Sequence, residues 1–466
     1  MNALDNYLMQ VQQATRLRSK KLSEQLVTLL LLHPQVNPAV VMFNNLGNLD
    51  KTQIANAVDA RKFYNDDWIA FNQVVVSFIH LANQINPWSS LESFDLYSTY
   101  INDLLIAFTN KNHGYLLSPL IESSMEFVIP LATQLDFQLV AKEMNRKPRL
   151  TYLAAILLKI FNNIRSQLGA GDQAETVKRS IILYIGTKLC LTYFKLSNPL
   201  LCRNVFSNMN NASLQFKRFP MNQQIQYRYY LAKFYLVKYQ FVDAYQHFKW
   251  CLDHCPINYL KNNANVSRIL RELIPVAIIL GKTPNFGSIY QTFYTSASKA
   301  PLFLAIYLEL MSIVRKGCFY EFQRFITANF EVLQYHKQLL FISNKSAVVL
   351  LRNLLKRVWL IEGSTTRLSY DSVSIALATS LQGVPLGSVA DFVHTKAGNN
   401  SVDDQLVENC LVTLIDQNLL KGKLFPRLRV VSLSKTGAFP SVDTIDFVKF
   451  GNGSEGTLNY TDKWME

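Results

Sequence analysis

The chain has 466 residues, 49% apolar and only 17% charged, so it can build a large core and disorder is excluded as the default. Six cysteines in this length exclude a disulfide-stapled scaffold, and the apolar run 26–32 is too short to cross a bilayer. The net charge of +14 is localised: residues 1–170 are net +1, 171–361 net +16 and 362–466 net −3, so any acidic partner is expected to meet the middle of the chain.

The N-terminus carries no secretory pattern, and a reduced, soluble, intracellular protein with no membrane partner is expected. Arg16, Arg18, Lys20 and Lys21 read as one solvated helix face. Nearly everything up to residue 361 reads as helix. Apolar side chains recur at helical spacing over 68–85, 96–109, 150–165, 180–196, 225–239, 241–254, 268–281, 302–315 and 319–330. Breakers separate these runs, among them Asn86-Pro87, Asn198-Pro199, Pro256, Pro284 and Gly317. Helices of this length with short loops predict a stack of helical hairpins. The stretch 228–256 is spaced like a tetratricopeptide repeat. Leu231, Ala232 and Tyr235 hold one set of offsets, and Ala244, Phe248, Cys251 and Pro256 the next. The loop 169–173 is the best internal boundary. The expected division is residues 1–175 as N-terminal helical repeats and 176–361 as a basic, TPR-like helical part.

Between residues 176 and 242 the chain has ten Lys and Arg and no Asp or Glu. These are Lys178, Arg179, Lys188, Lys195, Arg203, Lys217, Arg218, Arg228, Lys233 and Lys238, interleaved with aromatics from Tyr184 to Tyr235. That interleaving suits single-stranded nucleic acid, whose bases stack on rings. It suits equally an acidic peptide with aromatic anchors. Lys217 and Arg218 are candidates for nucleic acid; Lys178, Arg179, Lys188, Lys195, Arg203, Arg228, Lys233 and Lys238 are candidates for an acidic partner.

After Gly363 the texture changes. A helix over 345–360 is followed by one over 368–381, opened by Ser369 as N-cap, and one over 402–418 with Asp403 and Asp404 at its positive end. Two strands follow, over 419–424 and 427–433. Three helices and two strands predict a winged helix over 362–440, its first helix beginning near 345. Residues 441–466 read as an irregular tail. The helix expected at the recognition position carries Asp403, Asp404, Glu408 and Asp416 and no Lys or Arg, so it would oppose phosphates with carboxylates. The wing is basic: Lys421, Lys423, Arg427 and Arg429, with Lys435 beyond. Contact with the nucleic-acid backbone, without sequence reading, is the corresponding expectation.

Catalytic and metal signatures do not assemble. His247, Cys251 and Cys255 share a helix face, but Cys251 holds a packing position of the repeat, and no metal is expected there. Gly281-Lys282-Thr283 resembles the end of a phosphate-binding loop, but Val276 stands where its first glycine is needed and Pro284 follows at once. Asp66-Asp67 and Asp403-Asp404 are adjacent pairs at helix starts. No cofactor and no enzymatic activity are expected.

Helical repeats running into a winged helix are the layout of the PCI domain. The segments 224–255, 268–284, 350–358 and 408–435 resemble the PCI subunit of the TREX-2 transcription-export complex, the yeast Thp type. So does Asn86-Pro87-Trp88-Ser89. The most specific residues are Leu273-Ile274-Pro275-Val276 with Leu280-Gly281-Lys282; Leu351 departs from the Tyr that relatives often carry before Arg352-Asn353-Leu354. The resemblance implies an all-α helical-repeat superhelix ending in a winged helix. It implies a non-enzymatic subunit of a nuclear-pore-associated mRNA-export complex. Its partners would be a large PCI-type scaffold subunit, a small acidic Sem/Dss protein and RNA or DNA. The alternatives are a signalosome-like PCI subunit of a splicing-associated complex, and a purely structural PCI scaffold without nucleic-acid contact.

Overall fold

The computed structural model describes residues 3–17, 19–33, 35, 37–142, 146–168, 173–212, 214–296, 299–383, 402–442 and 460–465. The chain forms two compact units, one running to Tyr230 and including Trp464 and Met465, the other running from Leu231 to Lys463. The loop 169–173, expected as a boundary, lies largely outside the described residues, as does most of the tail 441–466.

The first unit is built from α1 (Ala3–Thr15), α2 (Ser19–Leu30), α3 (Pro38–Asn44), α4 (Lys51–Asp59), α5 (Ile69–Gln84), α6 (Ser90–Phe108), α7 (Ser118–Gln138), α8 (Pro148–Ser166), α9 (Gln173–Ser180), α10 (Ile182–Lys195), α11 (Cys202–Asn210) and the start of α12 (Met221–Val237). Neighbours in sequence pack as neighbours in space, α5 on α6 and α8 on both α7 and α10. The last carbonyls of a helix have no partner within it. Here side chains from other helices satisfy several of them. Tyr100 Oη donates to Leu30 O (2.8 Å) at the end of α2, and Asn83 Nδ2 to Phe43 O (2.9 Å) near the end of α3. Asp136, buried in the last turn of α7, accepts from Leu150 N (2.9 Å) and pairs with Arg149 (3.0 Å) at the start of α8. The segment 114–138 is long and apolar enough to cross a membrane, but more than half of it is buried inside the protein, where α7 packs on α2, α6 and α8.

The second unit continues with α13 (Phe241–Asp253), α14 (Ala264–Ile279), α15 (Phe286–Phe293), α16 (Leu302–Lys316), α17 (Phe319–Ala328), α18 (Phe330–Tyr335) and α19 (Leu339–Ile361). The repeat positions read from the sequence are core positions: Leu231, Ala232, Tyr235, Ala244, Phe248 and Cys251 are all buried. Then come β1 (Arg367–Ser369), α20 (Tyr370–Leu381), α21 (Asp404–Asp416), β2 (Gly422–Phe425) and β3 (Val430–Leu433). The strands form one antiparallel sheet in the order β1-β3-β2, with Leu368 opposite Val431 and Lys423 opposite Ser432. Ser369 caps α20 by accepting from Ser372 N (3.1 Å), and Asp403 caps α21 by accepting from Leu406 N (2.9 Å).

Helical part and winged helix share one core. Leu270, Ile274, Tyr307, Leu350, Val373, Leu411, Leu414 and Val431 belong to a single buried cluster, and α19 serves both parts. The residues that carry the family resemblance have definite tasks in it. Asn353 Nδ2 donates to Val314 O (2.8 Å) near the end of α16, and Arg352 Nη2 to Pro440 O (2.5 Å) beyond the wing. Gly281 turns the chain at φ +73°, and a Cβ there would lie 2.4 Å from the Val442 Cβ. Among the described residues helices dominate and the strands are few and short, and the fold is the helical-repeat PCI type.

Candidate nucleic-acid and partner surfaces

The wing places its cations by strand alternation. Lys423 and Phe425 point to one face of β2, with Lys421 preceding them in the same phase, and Leu424 packs towards Val431 on the other. Because β2 is an edge strand, its lysines also discourage edge-to-edge pairing, which is their bland role. Lys421, Lys423, Arg427 and Lys435 are exposed. Arg429 is exposed too, but its guanidinium is already engaged. It makes a bidentate pair with Asp404 (2.9 and 2.8 Å) and an ion pair with Asp371 (2.9 Å). Those contacts raise its pKa, the Asp404 hydrogen bond first. Its backbone is left-handed at φ 51°, and its carbonyl accepts from Tyr370 N (2.9 Å). Arg429 thus ties the wing to the N-terminal ends of α20 and α21.

In the first unit, the basic candidates divide sharply. Lys178 is 1% exposed. Its ammonium donates to Phe108 O (2.8 Å), Asn110 O (3.0 Å) and Gln167 Oε1 (2.8 Å), so it caps α6 from inside. Burial pulls its pKa down to about 8. Arg228 is also buried, and its Nη2 donates to Met465 O (2.9 Å). Lys188 pairs with Glu126 (2.7 Å), and Lys195 donates to Thr133 Oγ1 (2.8 Å). Arg179 is half-buried, while Arg203, Lys217 and Arg218 are exposed. In the second unit Lys238 is exposed and lies 5.2 Å from the Phe234 ring centroid. Lys233 is half-buried, and desolvation lowers its pKa against the opposing effect of Glu272. The cations open to an acidic ligand are therefore fewer than the sequence count. Lys178 and Arg228 lie inside the protein.

His247, singled out for its spacing to Cys251 and Cys255, is held by other groups. Its Nε2 lies 3.1 Å from Asp462, which also accepts from Tyr235 Oη, and the Tyr235 ring stacks on the imidazole. Cys255 Sγ donates to Cys251 O (3.1 Å). Asp462, Trp464 and Met465 were missed by the sequence reading, which took the tail as irregular. The available signal was an apolar Trp464-Met465 pair ending a polar stretch.

No family profile matches the chain. It is 28% identical over 407 residues to the nuclear mRNA export protein THP1 of Saccharomyces cerevisiae, spanning 85% of this chain and 88% of that one. It is 21% identical over 377 residues to PCI domain-containing protein 2 of Xenopus laevis, spanning 80% and 86%. Over 263 residues it is 22% identical to the CSN12 homolog of Neurospora crassa, spanning 56% of this chain and 54% of that one.

Proposed function

The chain is a PCI protein of the Thp type, and from that premise we propose that it is a non-enzymatic subunit of a nuclear mRNA-export complex of the TREX-2 kind, acting at the nuclear pore. The observation that carries this reading is the likeness to the yeast nuclear export protein along nearly the whole of both chains. In this reading the helical part and winged helix pair with a large PCI-type scaffold subunit. A small acidic Sem/Dss protein binds the basic helical segment, whose acidic-partner candidates Arg203 and Lys238 remain exposed. Nucleic acid meets the wing at Lys421, Lys423, Arg427 and Lys435, through phosphates and without base reading, because α21 carries carboxylates and no Lys or Arg; Lys217 and Arg218, also exposed, are further nucleic-acid candidates.

Conditional depletion tests the reading. Loss of this protein should trap polyadenylated RNA in the nucleus, seen by in situ hybridisation. Unimpaired export with defective splicing would favour a splicing-linked, signalosome-like subunit instead. The shorter match to the CSN12 homolog keeps that second reading in view.

A further inference from the structure

We propose that Phe216, Tyr227 and Arg228 form a peptide-binding site whose resident ligand is the chain's own C-terminal Trp464-Met465 segment. The Trp464 indole meets two rings edge-on, Phe216 at 5.3 Å and 86° and Tyr227 at 5.7 Å and 76°. Edge-to-face contact sets the positive rim of one ring against the negative face of another, so the pocket selects an aromatic side chain rather than any apolar one. Phe206 packs edge-on against Tyr227 from α11 (5.5 Å, 82°) and fixes that ring. Arg228 lies 5.2 Å from the Phe216 ring centroid and donates to the Met465 main-chain carbonyl at 2.9 Å. That bond reads the main chain of the 3-10 turn Tyr460–Met465, whatever the side chain there. Met465, Phe216, Tyr227 and Arg228 are each 2% exposed or less.

Arg228 and Met465 stand 237 positions apart, which makes this a tertiary contact. Covalent attachment makes such binding intramolecular, so the segment occupies its site without needing high intrinsic affinity. Charge favours the same occupant. The segment 462–466 carries Asp462 and Glu466 against Lys463, net −1, while Lys217 and Arg218, next to Phe216, are exposed and the stretch 176–242 contains no acid. The ligand class is therefore a short segment with a Trp-Met core and a single net negative charge. This inference stands independently of the export reading.

The test uses the full-length chain and a labelled peptide of residues 459–466, followed by fluorescence anisotropy. Trp464→Ala empties the pocket and should raise peptide affinity at least tenfold over the wild type, whose site is occupied. Adding Arg228→Met to that variant should lower affinity at least tenfold again. Equal affinity for wild type and W464A would overturn the assignment, because the pocket would then not hold the chain's own terminus. So would absence of binding to a W464A protein that melts like the wild type. If W464A does not fold, a benzoyl-phenylalanine photocrosslinker at position 464 keeps an aromatic side chain there. It should crosslink within the chain to the segment 206–228; crosslinks to other regions only, or only between chains, contradict the proposal.

Discussion

Lys178 sits behind the last turn of α6, where three acceptors surround its ammonium. In the sequence it is one cation among ten in an acid-free stretch; its sign is legible there, but not the carbonyls waiting for it 68 and 70 residues upstream. Lys178→Met keeps the stem and removes the donor, leaving buried carbonyls unpaired, and should cost about 1–3 kcal/mol of stability. A thermal or urea melt checks this. The pH dependence follows from a folded pKa of about 8 against an ordinary 10.5. Between those values the unfolded chain holds a proton that the folded chain has lost, so raising pH through this window favours the folded state. The stability gap between wild type and K178M should therefore widen in favour of the wild type from pH 8 to pH 10. Gly281→Ala should also destabilise, because φ +73° and the nearby Val442 both exclude a Cβ. Trp88 is the opposite case. It is 96% exposed, so Trp88→Ala should leave the melting curve unchanged and show its effect only in partner binding.

At the scale of elements, long periodic helices were legible because burial on one face writes a 3.6-residue period into the sequence. The winged helix was legible through its caps, Ser369 and Asp403, which the structure uses as read. The strand β1 was not, since three residues are too few to show alternation and Leu368 looks like the start of the helix it precedes. The wing strands are also shorter than expected, because Pro426, Arg427 and Leu428 form a 3-10 turn between them. Reversing charge at Lys421, Lys423 and Arg427 should weaken nucleic-acid binding for all sequences alike. Each lost phosphate contact should reduce the log–log salt slope by about 0.9 for duplex DNA. Arg429→Ala should leave that slope unchanged, because Asp404 and Asp371 already hold the guanidinium. Anisotropy titrations at several salt concentrations separate the two outcomes. Cutting the chain after residue 361 is a poor way to locate the acidic partner, because it opens the core that α19 shares with α20 and α21. Reversing charge at Arg203 and at Lys238 tests that assignment without touching buried residues.

At the scale of the molecule, 17% charged residues fall below the usual share of about 25%. Leu302, Tyr335, Leu340, Ile257 and Ile361 are more than 60% exposed in the second unit, as Trp88, Ile69 and Phe137 are in the first. Expression without partners should therefore give aggregated protein, and co-expression with a scaffold and a small acidic subunit should give a soluble complex. Size-exclusion chromatography checks this, and a stable, monodisperse single chain would count against an obligate subunit. The sequence showed the segment with the positive excess but not which cations reach solvent. That depends on where distant helix ends and the chain's own C-terminus come to lie, as Lys178 and Arg228 demonstrate. The central claim, membership of a transcription-export assembly, is tested most directly by purifying the tagged endogenous protein from nuclear extract and identifying the stoichiometric PCI-type scaffold bound to it. The account expects the scaffold of the export complex together with a small acidic subunit. A signalosome-type scaffold in its place, or a protein that purifies alone, would contradict it.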